Sequence, residues 1–324
     1  MLNALSHKSK QFFFVLIKIS IVVFAFYFIY LKLSNNRDFE YSVFIEFLNE
    51  NKVFTLNSII SLLFLSCFNW FLEILKWRKL VSVSQKITFK IALEQSLGSL
   101  TASLFTPNRI GEYGAKAIYF KNEYRKRIML INLLSNLLQM SVTVILGGIG
   151  LYFFVSEYQI SLNTSKILLI SIITILFIVL AVVVIGKTRF RIKRFSLEKM
   201  KGFIINYPKR IIIQGFCLSL LRYLIFSFQF YYLLTIFQIE TSYLHSMMVI
   251  TTMYLLASII PSIFIFDVVV KGSVAVYLFT FIGVSAITVL CIVTLMWIFN
   301  FVLPSILGSY HVLNFKFPKE TVSL

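Results

Sequence analysis

Six stretches of this chain are each long and apolar enough to cross a bilayer: residues 12–31, 54–75, 128–154, 166–186, 211–237 and 285–310. About 20 mostly apolar residues suffice for a crossing. In hydrocarbon every backbone N–H and C=O must be satisfied internally, so such runs fold as helices. Only 14% of the 324 residues are charged and 59% are hydrophobic, whereas a soluble domain carries about 25% charged residues. The expectation is an all-α polytopic membrane protein, a single integral unit over 1–324. Lys8 and Lys10 ahead of the run 12–31 give it the outline of a signal peptide. The run is too long for one and lacks a small-residue cleavage site, so an uncleaved first span is expected.

Two further apolar stretches, 91–120 and 244–283, do not read as simple crossings. The first carries Glu94, Gln95, Ser96, Gly98, Ser99, Thr101, Ser103 and Thr106 before Pro107; the second breaks at Pro261 and holds Asp267 and Lys271. Proline removes a helix hydrogen bond and disfavours helix in the residue before it, so each stretch is expected to split into half-helices.

The distribution of Lys and Arg sets orientation. Segment 187–210 holds nine basic residues and Glu198 alone, and belongs inside; segment 32–52 balances Lys32, Arg37 and Lys52 against Asp38, Glu40, Glu46 and Glu50, and belongs outside. Basic clusters flank the stretch 91–120 on both sides: Lys76, Arg78, Lys79, Lys86 and Lys90 before it, and Lys121, Arg125, Lys126 and Arg127 after it. With both flanks and both termini cytoplasmic, the assignment closes only if 91–120 enters from inside and 244–283 from outside as re-entrant hairpins. Span, hairpin, span then occurs twice in opposite orientation, as inverted repeats 54–154 and 211–310. The sequences Leu100-Thr-Ala-Ser-Leu-Phe-Thr-Pro107 and Leu255-Leu-Ala-Ser-Ile-Ile-Pro261 echo each other, and each precedes an acid four residues before a lysine.

Ionisable residues within spans are costly, about 2.5–3.5 kcal/mol at a helix centre on insertion scales, and are functional candidates by default. Arg222, in the middle of 211–237, is either a counter-charge for an anionic headgroup or half of a structural ion pair with Glu112 or Asp267. Arg109 offers a guanidinium fork suited to phosphate; the alternative is snorkelling to the interface. Glu112 with Lys116, and Asp267 with Lys271, share helix faces at i,i+4; they either neutralise buried charge or gate the site. Pro107, Gly111 and Pro261 mark the hairpin breaks. Glu73 and Lys76 fall at a cytoplasmic span end and are expected at the interface. Gly147, Gly148 and Gly150 are expected to permit close helix packing, because no Walker-type lysine follows.

The net charge of +18 lies in the connections between apolar runs, where each Lys or Arg gains about 1 kcal/mol against anionic headgroups. Nucleic acid is not an expected partner. Cys67, Cys217 and Cys291 lie in apolar runs as reduced packing residues, with no metal-ligand spacing to His7, His245 or His311. No catalytic triad, nucleotide loop or cofactor signature is present, so an enzyme is not expected.

The segments Trp70-Phe-Leu-Glu-Ile-Leu-Lys-Trp-Arg78, Pro107-Asn-Arg-Ile-Gly-Glu-Tyr-Gly114 and Pro261 to Gly272 resemble the membrane domain of lysylphosphatidylglycerol synthase/flippase proteins and its stand-alone flippase-like relatives. Members commonly read Pro-Gly-Arg-x-Gly-Glu in the second block, so Asn108 stands where a glycine is usual. Their later block often ends Val-Arg-Glu, against Val270-Lys271-Gly272 here, and Asp267 is not the equivalent acid. The resemblance implies re-entrant helices and movement of a lipid between leaflets, without the soluble aminoacyltransferase domain. The expected function is therefore a flippase for a phosphate-bearing lipid of a bacterial inner membrane, built as six spans and two hairpins. Its expected partners are lipids with anionic or aminoacylated headgroups, and a separate lipid-modifying enzyme. A non-transporting envelope-assembly scaffold and an ion-coupled small-solute transporter are the alternatives.

Overall fold

The computed structural model describes residues 55–104, 106, 110–159, 202–203, 205–259 and 267–318, and isolated positions 19, 20, 23 and 27; for 267–271 it describes backbone alone. The expected spans 12–31 and 166–186, segment 32–52, most of 187–210, and Pro107, Asn108, Arg109 and Pro261 lie outside the described residues.

Among the described residues four helices are long and apolar enough to cross a membrane, and each overlaps one of the expected runs. Thr55 caps the first, α1 (Leu56–Val81), accepting from the Ser58 N–H at 3.4 Å, as a hydroxyl at an N-cap does for an otherwise orphaned donor. The others are α4 (Asn122–Glu157), α5 (Lys209–Ile236), and the composite of α8 (Ala286–Trp297), a π-helical segment (Ile298–Val302) and α9 (Leu303–Leu313). Ser285 caps that last span through the Thr288 N–H. Each of the two irregular stretches forms two helices: α2 (Phe89–Ser103) and α3 (Gly111–Ile118), then α6 (Tyr243–Ile259) and α7 (Asp267–Thr280). All regular structure among the described residues is helical.

The helices pair in a reciprocal pattern. α1 packs along α5, α4 along α6, and α9 along α2, while α3 bridges α2 to α4 and α7 bridges α6 to α8. The three long pairings are antiparallel. Gln229 reaches the Leu62 carbonyl near one end of the α1–α5 pair, and Tyr207 reaches the Leu80 carbonyl at the other. Burial pushes the Tyr207 hydroxyl well above its ordinary pKa, so it stays protonated and donates. Tyr158 meets His245 at 2.6 Å at one end of the α4–α6 pair. Thr101 donates to the Ser305 carbonyl at 2.8 Å between α2 and α9.

In lipid no water is expelled between helices, so close van der Waals approach has to drive their association. Glycines supply it in two of these pairings. A Cβ at Gly147 would meet the Leu255 side chain at 2.5 Å, and one at Gly150 would overlap Thr251, both on α6. A Cβ at Gly308 of α9 would overlap the Leu97 carbonyl and the Thr101 hydroxyl of α2. Gly148 faces open space and takes no part in this packing.

Two large buried apolar clusters result among the described residues, beside a smaller one of Trp70, Leu97, Leu100 and Leu104. One, containing Leu62, Phe230, Leu233, Phe279 and Ile292, lies at the N-terminal end of α1. The other, containing Ile74, Trp77, Leu80, Ile128 and Ile131, lies at its C-terminal end. Of the cysteines, Cys291 packs in the first cluster while Cys67 and Cys217 are exposed; all three are free thiols.

Candidate functional site

Between the two clusters α1 turns polar. Ser66, Asn69, Glu73 and Lys76 recur at spacings of three and four residues, which places them on one helical face; all four are buried. Glu73 and Lys76 are enclosed by the fold, on a helix that continues to Val81. Lys76 Nζ lies 2.7 Å from Glu73 Oε2, and Arg222 Nη1 donates to the same oxygen at 2.7 Å. Two cations share one carboxylate. The partner of Arg222 is therefore Glu73, not Glu112 or Asp267.

A relay of donors leads away from this ion pair. Arg222 Nε donates to Asn69 Oδ1 at 3.1 Å, Asn69 Nδ2 to Asn300 Oδ1 at 2.9 Å, Asn300 Nδ2 to Gln229 Oε1 at 2.9 Å, and Gln229 Nε2 to the Leu62 carbonyl at 3.2 Å. All bonds point the same way, so each polarises the next and the chain starts from a charge. It crosses from α1 to the π segment to α5, joining three spans through side chains.

The π segment exists because of Pro304. A proline has no N–H, so the carbonyls of Asn300 (the α-helical acceptor) and Phe299 (the π-helical one) lose their intrahelical donor. Trp70 Nε1 donates to the first at 3.0 Å and Ser66 Oγ to the second at 2.5 Å. The break is thereby turned into two contacts with α1.

A second charged group sits at the α3–α4 junction. Lys116, 1% exposed, lies 2.8 Å from Glu112 and donates to Asn132 Oδ1 at 2.9 Å. Its ammonium stands 4.3 Å from the centre of the Trp77 ring, within the range of a cation–π contact. Trp77 in turn donates to Gln95 Oε1 at 2.8 Å. Gly111 opens α3 with its N–H on Thr106 Oγ1 at 2.9 Å, while Thr106 donates back to the Ser103 carbonyl at 2.7 Å. A Cβ at Gly111 would lie 2.8 Å from Thr106 Cγ2, so this closed turn admits no larger residue without a shift.

The structure therefore joins Glu112 with Lys116 and places Arg222 in a separate cluster with Glu73 and Lys76. The sequence singled out none of Asn69, Asn132, Gln229 and Asn300; their signal was an amide inside an otherwise apolar run. Asp267 opens α7 with Lys271 one turn later, and their side chains, like Arg109, lie outside the described residues. Several polar residues of 91–120 have structural partners: Thr101 and Ser103 bond to carbonyls, and Gln95 to Trp77.

The Arg222 side chain is 22% exposed against 9% for Glu73. Nε and Nη1 are occupied within the fold, and the cluster carries one positive charge in excess. Chemically this suits an acceptor-rich anion such as phosphate.

Comparison with curated proteins and with solved structures gives no match. The family model for the lysylphosphatidylglycerol synthase TM region matches residues 15–308, taking in every helix described above except the end of α9, and the chain belongs to that family.

Proposed function

We propose that this membrane protein moves a phosphate-bearing lipid between the leaflets of a bacterial inner membrane, with both chain termini cytoplasmic. The observation that carries the reading is the Glu73–Lys76–Arg222 cluster between two antiparallel spans, with Arg222 in the middle of α5 and Glu73 and Lys76 in the C-terminal third of α1. It holds one more cation than carboxylate, and its arginine is partly exposed. Charge left unbalanced at that depth is costly, and a lipid phosphate would neutralise it while its tails stay in hydrocarbon. The family name supports a lipid as the object handled.

The helix pairings support alternating access. Exchanging α1 with α5, α2 with α6, and α4 with the α8–α9 span maps the α4–α6 contact onto the α9–α2 contact and leaves the α1–α5 contact on itself. This is the pairing that inverted repeats 54–154 and 211–310 would make, with the two broken stretches as re-entrant hairpins. In the proposed cycle one repeat rocks against the other about the α1–α5 pair. Arg222 and Arg109 hold the phosphate, and the Glu112–Lys116 and Asp267–Lys271 pairs balance charge as the site changes sides. The chemistry proposed is transport, with no bond made or broken.

The test is leaflet exchange of labelled lipids in proteoliposomes, comparing the wild type with Arg109→Ala/Glu112→Ala and with Arg222→Ala. Headgroup-dependent exchange by the wild type and its loss in the variants are expected. Well-folded wild-type protein that exchanges no lipid, with or without a proton gradient, would overturn the reading in favour of a scaffold or a solute carrier.

A further inference from the structure

Lys76 is 1% exposed and is held by a single carboxylate oxygen that it does not have to itself. Glu73 Oε2 takes both Lys76 Nζ and Arg222 Nη1 at 2.7 Å. Among the described residues no other hydrogen bond or ion pair reaches this ammonium, which has three protons to donate. The charges that act on it are Glu73 on its own helix, Arg222 from α5 and Lys116 from α3. Lys76 thus faces two cations and one carboxylate, and Glu112 on α3 is committed to Lys116 at 2.8 Å.

The remaining charges on the helices around α1 are turned elsewhere. Arg78 and Lys79 on α1, Lys90 on α2 and Lys209 and Arg210 on α5 are exposed. Glu94 of α2 acts on Tyr119 and His311. On α4, Glu123 and Lys126 are exposed, and Arg125 and Arg127 donate to the Phe120 and Val83 carbonyls. The π segment Ile298–Val302 carries no charge.

The three buried cations differ in what they can give up. A guanidinium keeps its proton in proteins. Lys116 has the Glu112 carboxylate, Asn132 Oδ1 at 2.9 Å and the Trp77 ring at 4.3 Å, all of which favour its charged form. Lys76 shares its one acceptor with an arginine, and a buried lysine loses its proton readily. With no anion present, that loss leaves Glu73 against Arg222, one negative charge against one positive. With a monoanion at Arg222, the same proton restores neutrality. A Lys76 fixed in either form would leave one of the two states with unbalanced charge at membrane depth, which is costly.

Resting on the lipid-transport reading, we propose that Lys76 takes up one proton with each lipid anion and releases it with that anion on the far side, so that transport is electroneutral proton–anion symport. The proton comes from water on the side where the anion enters, joins the lone pair of the Lys76 amine, and returns to water on the other side; the lipid is unchanged. Five residues, about 7 Å of helix, separate Lys76 from the end of α1 at Val81, so a short file of water reaches it from that end. A pH difference then drives lipid away from the acid side, by up to about tenfold in the leaflet ratio per pH unit.

The experiment takes two readouts on the purified full chain. In proteoliposomes, the leaflet distribution of labelled phosphatidylglycerol, a phosphodiester whose single charge does not titrate near neutrality, is followed under a pH difference without a membrane potential and under a potential without a pH difference. In detergent, half-saturation by the dioctanoyl form of the same probe is read from thermal stabilisation across the neutral and mildly alkaline range. The wild type should accumulate label in the leaflet away from the acid side and ignore the potential. Its half-saturation should rise with pH by up to about tenfold per unit, because binding takes up a proton. Lys76→Met, fixed neutral, should bind weakly at every pH. Lys76→Arg, fixed charged, should bind independently of pH and still exchange labelled for unlabelled lipid, yet build no asymmetry, because its empty site cannot discharge. Both variants leave the Glu73–Arg222 contact in place, and their melting midpoints check folding. A distribution that follows the potential instead of the pH difference, or wild-type pH dependence in either variant, would overturn the proposal. Proton-linked binding without leaflet exchange would keep the Lys76 site and remove the transport reading, whereas exchange and binding both indifferent to pH would do the reverse.

Discussion

Arg222 donates to Glu73 at 2.7 Å although 149 residues separate them, and this contact closes the α1–α5 pair at the level where its two apolar clusters part. Glu73 also holds Lys76, so its loss strands two cations, whereas loss of Arg222 leaves the carboxylate one partner. Removing one member of a buried pair typically costs about 3 kcal/mol or more. Glu73→Ala should therefore lower the thermal midpoint further than Arg222→Ala does. The double variant should be less destabilised than the sum of the singles, because contacting residues couple. Additive midpoints in detergent melts would show that the two side chains do not depend on each other.

The glycines of the helix pairings should separate by what a Cβ would meet. At Gly308 the obstacle is the Leu97 backbone carbonyl, which cannot swing aside. Gly308→Ala should therefore cost about 1–3 kcal/mol, the range for overpacking a filled interior. At Gly148 nothing lies within 4 Å, and Gly148→Ala should be neutral or stabilising by up to about 1 kcal/mol from backbone entropy alone. Equal effects of the two changes on the melting midpoint would contradict the close α2–α9 approach.

Pro304→Ala tests the origin of the π segment, and the two opposing effects differ in sign. Helix propensity predicts a gain of about 3 kcal/mol on replacing an interior proline. The new N–H would instead compete for the Phe299 and Asn300 carbonyls, which Ser66 and Trp70 now fill, leaving buried donors at about 1–3 kcal/mol each. Net destabilisation is the expected outcome. It should be abolished in a Ser66→Ala/Trp70→Phe background, where no donor remains to be displaced; a gain in stability in the unaltered background would sink this account.

These contacts show what a sequence of this kind discloses. Four of the six expected spans have counterparts among the described residues, because apolar length is a local property: the run 211–237 became Lys209–Ile236 and the run 285–310 became Ala286–Leu313. The two interrupted stretches were legible from proline and polar content, and both are pairs of short helices. The burial of Glu73 and Lys76 was not legible, because hydropathy falls where α1 gains charge, although the helix runs on to Val81 and tertiary packing encloses them. The partner of Arg222 was not legible at all. The sequence offered Glu112 and Asp267, and only the antiparallel register of α1 on α5 brings Glu73 to it. The amide relay escaped for the same reason, since Asn69, Asn300 and Gln229 form a chain only once three distant segments meet.

The final prediction separates the two readings of Arg222 left open by the sequence. A structural ion pair needs only a positive charge near Glu73, and lysine provides one. Binding a headgroup phosphate while also holding Asn69 and Glu73 needs the planar fork, whose donors are fixed in direction; the lysine ammonium is a point charge on a flexible stem. Arg222→Lys should therefore keep most of the thermal stability that Arg222→Ala loses. Its leaflet exchange of anionic lipids should nonetheless fall at least about tenfold, the equivalent of roughly 1.4 kcal/mol in the transition state. Paired melts and exchange rates on the same preparations decide the matter. Full exchange by Arg222→Lys would assign the arginine to holding α1 against α5, and the search for the phosphate ligand would pass to Arg109.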